Sequence, residues 1–227
     1  MALYQDRSHA GRVLAAALDR YAKRSDVVVL ALPRGGVPVG FEVARRLAAP
    51  LDVLVVRKLG VPGHEELAMG ALASGGARVL NPEVVTELGI PESALVAATA
   101  REAQELARRD RTYRGDRPPI DVRGKTVILV DDGLATGSSM RAAIAGLRQR
   151  QPARIVVGVP VAAPSTCEAL RQEVDEIVCI ATPDAMYAVG LWYADFSQTT
   201  DEQVRALLAG AERARTAQTE AGISGHR

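Results

Sequence analysis

Aromatic residues are scarce in this chain of 227 residues: one Trp, five Tyr and two Phe, or 4% of the sequence. The core must therefore be built mainly from Ala, Val and Leu. Cysteine is nearly absent. Cys167 and Cys179 both sit in apolar surroundings and lack the closely spaced Cys or His partners of a zinc site. They read as reduced core residues of a cytosolic protein. Neither sign of charge is in excess, with 28 basic and 27 acidic residues giving a net charge of +1. A general nucleic-acid binder needs a surplus of basic residues facing phosphates, so nucleic acid is not an expected partner. No run approaches the roughly 20 apolar residues of a membrane span. The charged stretch from Met1 to Arg12 lacks the apolar segment of a secretory signal. With 48% hydrophobic residues, the composition is that of a soluble globular protein, read here as cytoplasmic.

Long apolar runs alternate with helical patterns. Apolar residues at Ala10, Val13, Leu14, Ala17 and Leu18 predict a helix over 8–23, with Ser8 as its cap. Val27 to Leu32 is an unbroken apolar run, as expected of a strand covered on both faces. A Pro33-Arg34-Gly35-Gly36 turn, a helix over 37–48 and a strand over 51–56 complete a βαβ unit. Residues 57–66 carry two glycines, a proline and mixed charge, which predicts a movable loop. Short strands over 67–73 and 77–80 flank a Ser74-Gly75-Gly76 hairpin, and helices follow over 82–88 and 91–114. The second of these ends in Arg108, Arg109, Arg111 and Arg114, which suit the helix dipole and could also serve an interface or touch a ligand. Strands at 126–130, 154–160 and 175–181 alternate with helices at 140–150 and 165–172. The pattern is α/β with a mostly parallel central sheet flanked by helices. A last helix spans about 200–213, and a polar tail, 214–227, is expected to fray.

The most informative stretch is Val127 to Ser139. A buried strand delivers Asp131 and Asp132 to its carboxyl end, where ligands of open α/β sheets bind. A Gly133-Leu134-Ala135-Thr136-Gly137-Ser138-Ser139 loop then opens a helix. Its backbone amides can converge on a phosphate, aided by the helix dipole. No lysine and no Walker A spacing are present. Two acids beside one phosphate cradle suit a ligand offering hydroxyls next to a phosphate, a ribose 5-phosphate. Val127 to Ser139 resembles the phosphoribosyl-pyrophosphate (PRPP) motif of type I phosphoribosyltransferases, and the resemblance covers about Val27 to Ala181. It implies that family's fold, with a small hood subdomain beside the core. It also implies that Asp131 and Asp132 hold the ribose hydroxyls while Ala135, Thr136, Gly137, Ser138 and Ser139 hold the 5-phosphate. Ser139 stands where many members have threonine.

The same resemblance places a pyrophosphate-binding loop, often with a strained or cis peptide, at Pro33-Arg34-Gly35-Gly36. Arg34 offers a fork for phosphate oxygens, and Gly35 and Gly36 expose amides. Residues 57–66 fall where the family has its flexible catalytic loop and are similar to the Arg-Lys-x-Gly-x-x-Pro-Gly pattern of adenine phosphoribosyltransferases, one residue shorter. Lys58 would reach pyrophosphate, and Arg57, counted with it among the catalytic residues, would instead bind a partner subunit or support the loop. His64, Glu65 and Glu66 are either acid/base groups or a solvated turn. The hood is expected from the N-terminal segment and residues 183–199. Tyr187, Trp192, Tyr193 and Phe196 gather half of the scarce aromatics there, either to stack on an acceptor base or to form a small core. Asp184 could meet an acceptor N–H. The resemblance thus implies one domain over residues 1–213 (core about 25–182), a homodimer, and transfer of phosphoribose from PRPP, with Mg²⁺ on its pyrophosphate, to an unidentified nitrogenous acceptor. A PRPP-sensing regulator and a PRPP hydrolase are the alternatives.

Overall fold

The computed structural model describes residues 2–224. Helix α1 (Arg7–Ala17) starts one residue before the predicted Ser8, because the Asp6 carboxylate caps it by accepting the His9 N–H at 2.7 Å. Strand β1 (Val27–Ala31) is buried throughout and leads into α2 (Gly36–Leu47). The strand predicted over 51–56 is split. Strand β2 (Leu51–Val53) ends where the chain leaves the main sheet, and β3 (Val56–Val61) belongs to a second one. There it pairs antiparallel with β4 (His64–Ala73), followed by β5 (Ala77–Leu80). Residues 57–66, predicted as a movable loop, are therefore a hairpin. Its turn is Pro62-Gly63, where Gly63 takes a φ of +79° and Val61 pairs with His64. Proline and glycine are loop signals, yet the same residues build a tight turn between strands.

Helices α3 (Pro82–Glu87) and α4 (Glu92–Arg114) precede β6 (Thr126–Val130), α5 (Ser138–Arg148), β7 (Arg154–Val161), α6 (Pro164–Arg171) and β8 (Glu176–Ala181). Helix α7 (Asp201–Ser224) runs past the predicted end near Arg213. The frayed tail expected from Ala214 is helical as far as Ser224, and 225–227 lie outside the described residues. The stretch 211–221 contains neither glycine nor proline and is rich in Ala, Arg, Glu and Gln, so nothing local stops the helix.

The main sheet has the order β2-β1-β6-β7-β8, all parallel, with alternate residues serving opposite faces. Val27, Val29, Ile128 and Val130 pack under α1 and α2 against Leu14, Leu18, Val43 and Leu47. Val28, Leu30, Val127 and Leu129 pack on the other side against Met140, Ile144 and Leu147 of α5 and Leu170 of α6. From β1 the chain moves outward to β2 in one direction and later to β6, β7 and β8 in the other. The switch point lies between β1 and β6, where open α/β sheets form clefts at their carboxyl ends.

Two side-chain arrangements differ from the sequence-based expectation. Cys167 on α6 and Cys179 on β8 are bonded to each other, with Cα atoms 6.8 Å apart, rather than being two reduced thiols. The short turn at 172–175 folds α6 back along β8, which brings the pair together. Arg114 does not simply end a helix. It is buried, pairing with Asp52 at 2.9 Å and Asp110 at 2.6 Å, and it also donates to the Val53 carbonyl. Asp110 accepts from the Ser74 hydroxyl, which in turn accepts the Val55 N–H. This polar chain holds the corner where the backbone passes from β2 to the small sheet. Arg108 and Arg109 pair with Glu105 on the surface.

Removing one partner of a buried ion pair leaves the other charge uncompensated, whereas exposed pairs contribute little. Asp52→Ala should therefore cost about 3 kcal/mol of unfolding free energy, and Arg108→Ala less than about 1 kcal/mol. Urea denaturation reads both, and a loss at Asp52 no larger than at Arg108 would contradict the assigned role.

Candidate functional site

The carboxyl ends of β1 and β6 are tied together by the Leu32 N–H, which donates to the Val130 carbonyl at 2.9 Å. Asp131 and Asp132 follow immediately, and the Asp132 N–H donates to Asp131 Oδ1 at 2.9 Å. Opposite them lies the 33–36 loop, with a cis Pro33–Arg34 bond. Glycine holds its next two positions, the second packed against backbone and the first against the Asp132 side chain. A Cβ at Gly36 would stand 2.8 Å from the Val130 carbonyl oxygen and 2.9 Å from Asp131 Cα. One at Gly35 would stand 2.0 Å from Asp132 Oδ2. Loss of solvent raises the Asp131 carboxyl well above the ordinary carboxylate range, and the neighbouring Asp132 charge adds to the shift. Burial also raises Asp132, with the Arg7 guanidinium pulling against it.

The loop after the acids is held from below. The Leu134 N–H donates to the Val161 carbonyl, and the Thr166 hydroxyl of α6 donates to the Ala135 carbonyl at 2.6 Å. Gly137 caps α5 with a φ of +71°, and a Cβ there would meet Thr166 Cγ2 at 2.6 Å. Among the described residues, the N–H groups of Ala135, Thr136, Gly137 and Ser139 find no acceptor, and that of Ser138 has only the Thr136 hydroxyl at 3.5 Å. A row of free amides at a helix N-terminus is an anion cradle.

The remaining predicted groups surround this centre unevenly. Arg34 leans toward Asp201 at the start of α7, 3.6 Å away, and the same carboxylate oxygen accepts the Tyr113 hydroxyl. Arg57 is held by Glu102 of α4 at 2.6 Å, so it supports the hairpin. Lys58, on the opposite face of β3, is exposed, as is His64 at the turn. The side chains of Glu65 and Glu66 lie outside the described residues.

The N-terminal segment and residues 192–195, the stretches expected to form the hood, are bonded to each other. The Tyr4 N–H donates to the Trp192 carbonyl at 3.0 Å, and the Ala194 N–H to the Tyr4 carbonyl at 2.8 Å. Trp192, Tyr193 and Phe196 join Tyr4, Val161 and Val189 in a small apolar core. Tyr193 is buried and its hydroxyl donates to the Asp132 carbonyl at 2.6 Å. Phe196 lies 5.0 Å from the Tyr193 ring, and the Arg7 guanidinium covers it at 3.8 Å. Trp192, Tyr193 and Phe196 thus pack with the N-terminal segment, and Tyr187 stands apart from them. Asp184 is exposed, and Tyr187 is 86% exposed. Arg7 is a site residue that the sequence does not signal. It bonds Asp132 Oδ2 at 2.7 Å and the Ser197 carbonyl at 2.7 Å. An arginine in a first helical turn, 125 positions before its partner, carries no local mark of that role.

The model of the phosphoribosyl transferase domain family matches residues 4–192. The Mycobacterium tuberculosis H37Rv protein Rv0571c, named for the phosphoribosyl transferases, is 45% identical over 213 residues. That alignment takes in 94% of this chain and 48% of the relative, so the chain spans about half the length of the curated relatives it matches most fully. The Bifunctional protein PyrR of Chloroflexus aurantiacus is 34% identical over 136 residues, 56% of this chain and 65% of that one. Among solved structures, TT1426 from Thermus thermophilus superposes with a TM-score of 0.83 at 45% identity, covering 92% of this chain and 99% of that one. The matched stretch runs from the first residues of the hood through the acid pair and its loop, and this chain belongs to the phosphoribosyl transferase family.

Proposed function

We propose that the protein binds PRPP as its Mg²⁺ complex and transfers the phosphoribosyl group to a nitrogenous acceptor, releasing pyrophosphate. The observation that carries this reading is the set of free amides from Ala135 to Ser139 directly after two half-buried carboxylates. The amides, with the hydroxyls of Thr136, Ser138 and Ser139, take the 5-phosphate, while Asp131 and Asp132 accept the ribose hydroxyls. A polyphosphate would be repelled by two full charges. The raised affinity of Asp131 for its proton and the guanidinium on Asp132 both lessen that repulsion. Gly35 and Gly36 let the backbone approach the pyrophosphate, and Arg34 and Lys58 supply cations there, with Arg57 holding the hairpin beneath.

In the transfer, a lone pair on the acceptor nitrogen bonds to C1 of the ribose. The C1–O bond breaks with its electron pair going to pyrophosphate, and the acceptor nitrogen gives its proton to solvent water. Positive charge builds on the sugar and negative charge on the leaving group, which Mg²⁺, Arg34 and Lys58 offset. The acceptor is assigned to the hood side, with Asp184 receiving an N–H and Trp192, Tyr193 and Phe196 forming the wall behind it. A tight site also keeps water from C1, which separates transfer from hydrolysis.

Incubation with Mg²⁺, PRPP and a panel of nitrogenous bases should give base-dependent pyrophosphate release. Release without a base would identify a hydrolase instead, and binding without turnover a sensor. The double variant Asp131→Asn, Asp132→Asn should lose PRPP binding, measured by calorimetry, while keeping a cooperative thermal transition; unchanged binding would overturn the site. The pH dependence of stability has a definite sign. A carboxyl whose pKa is raised on folding contributes stability below its unfolded value, near 3.8, and loses it as pH rises through the raised value. Asp131→Asn should therefore raise the melting temperature at pH 8, with the gain shrinking as pH falls toward 4. A gain that is constant across that range would refute the assignment.

A further inference from the structure

We infer that Arg7 is a positioning residue of this site: from the first turn of α1 it holds the Asp132 carboxylate in the orientation that receives the ribose, so that the hood takes part in binding phosphoribose. The inference rests on the phosphoribosyl-transfer reading above. Arg7 is nearly enclosed, its side chain 12% exposed, and it makes three contacts of different kinds. Nε donates to Asp132 Oδ2 at 2.7 Å, Nη1 donates to the Ser197 carbonyl at 2.7 Å, and the flat guanidinium lies 3.8 Å from the centre of the Phe196 ring. A planar fork with a stacked face is fixed in direction as an ammonium group is not. The hood holds Asp132 a second time through the Tyr193 hydroxyl on its backbone carbonyl. Carboxylate and carbonyl of one acid are thus both set by the hood, not by the sheet that carries them. Room for the contact exists because position 35 has no side chain: a Cβ there would lie 2.0 Å from Asp132 Oδ2 and 3.2 Å from Arg7 Nε.

Several titratable or charged groups surround Asp132. Arg7 touches it from α1, Asp131 precedes it on the same strand end, and the Tyr193 phenol faces it from the hood. Asp195 lies within the field of Arg7, and the Arg34–Asp201 pair stands beyond the glycine loop. Among the described residues, Arg7 is the only cation in contact with Asp132. Burial favours the protonated acid and Arg7 opposes it. Without the guanidinium, Asp132 takes up a proton at higher pH and becomes a poorer acceptor for a ribose hydroxyl.

The test is calorimetric binding of Mg²⁺–PRPP between pH 5.5 and 8.5 to the unsubstituted protein, Arg7→Met and Arg7→Lys. Arg7→Met keeps an apolar stem over Phe196 and should bind about tenfold to a hundredfold more weakly. Its decline on the acid side should begin at a higher pH. Arg7→Lys, which keeps the charge, should retain the original acid limb even where its affinity is lower. A loss by the same factor at every pH would mean that Arg7 merely packs the hood, and it would overturn the inference, as would no loss at all. If Arg7→Met melts below the assay temperature, Arg7→Gln is read in the same way. Failure of the unsubstituted protein to bind PRPP would instead remove the phosphoribosyl-transfer reading.

Discussion

Two carboxylates carried into the half-buried end of a strand cannot both be charged and uncompensated, and the surroundings of Asp131 and Asp132 answer that constraint from three sides. Burial keeps a proton on Asp131 over a wider pH range than an exposed acid would hold one. Arg7 compensates Asp132, and the Asp132 N–H is spent on Asp131 Oδ1. The glycines of the 33–36 loop lie so close to the acids that any side chain there would collide with them. The pair is therefore a fixed feature of the sheet's switch point. The loop beyond it leaves its amides free, and the two together line the cleft proposed to take the phosphorylated sugar.

The rest of the architecture holds that cleft in place. Apolar runs in β1 and β6 are covered on both faces, so the strand ends are rigid. Helix α6 braces the loop through Thr166 and is itself tied to β8 through Cys167 and Cys179. The small sheet projects Lys58 from a hairpin anchored by Arg57 on Glu102, and its root is fixed by the buried chain of Asp52, Arg114, Asp110 and Ser74. The hood closes over Asp132 with Tyr193 and Arg7. The polar groups of the cleft sit at element ends, and the core beneath them is almost wholly aliphatic.

Much of this was legible in the sequence because the signals were local. Unbroken Val and Leu runs specify buried parallel strands, and an acid pair followed by a Gly/Ser/Thr turn specifies what stands at the end of one. Three features were not legible, each for a physical reason. The 57–66 segment carries loop-type residues, yet proline and glycine in adjacent positions also make the tightest hairpin turn. The cysteine pair depends on how α6 folds back along β8, which no periodicity encodes. The aromatics of 192–196 meet Tyr4 and Arg7, which lie far away in the chain. Long-range side-chain partners are the part of a site that local pattern omits.

The central claim is that the amides from Ala135 to Ser139 receive the 5-phosphate while the acid pair receives the ribose. Phosphorus NMR of PRPP with Mg²⁺ reads this directly, because the 5-phosphate and the two pyrophosphate phosphorus atoms give separate resonances. On adding the protein, the 5-phosphate signal should shift or broaden together with the pyrophosphate signals, and Gly137→Val should abolish the 5-phosphate response first. A response confined to the pyrophosphate signals, with the 5-phosphate unchanged, would contradict the account.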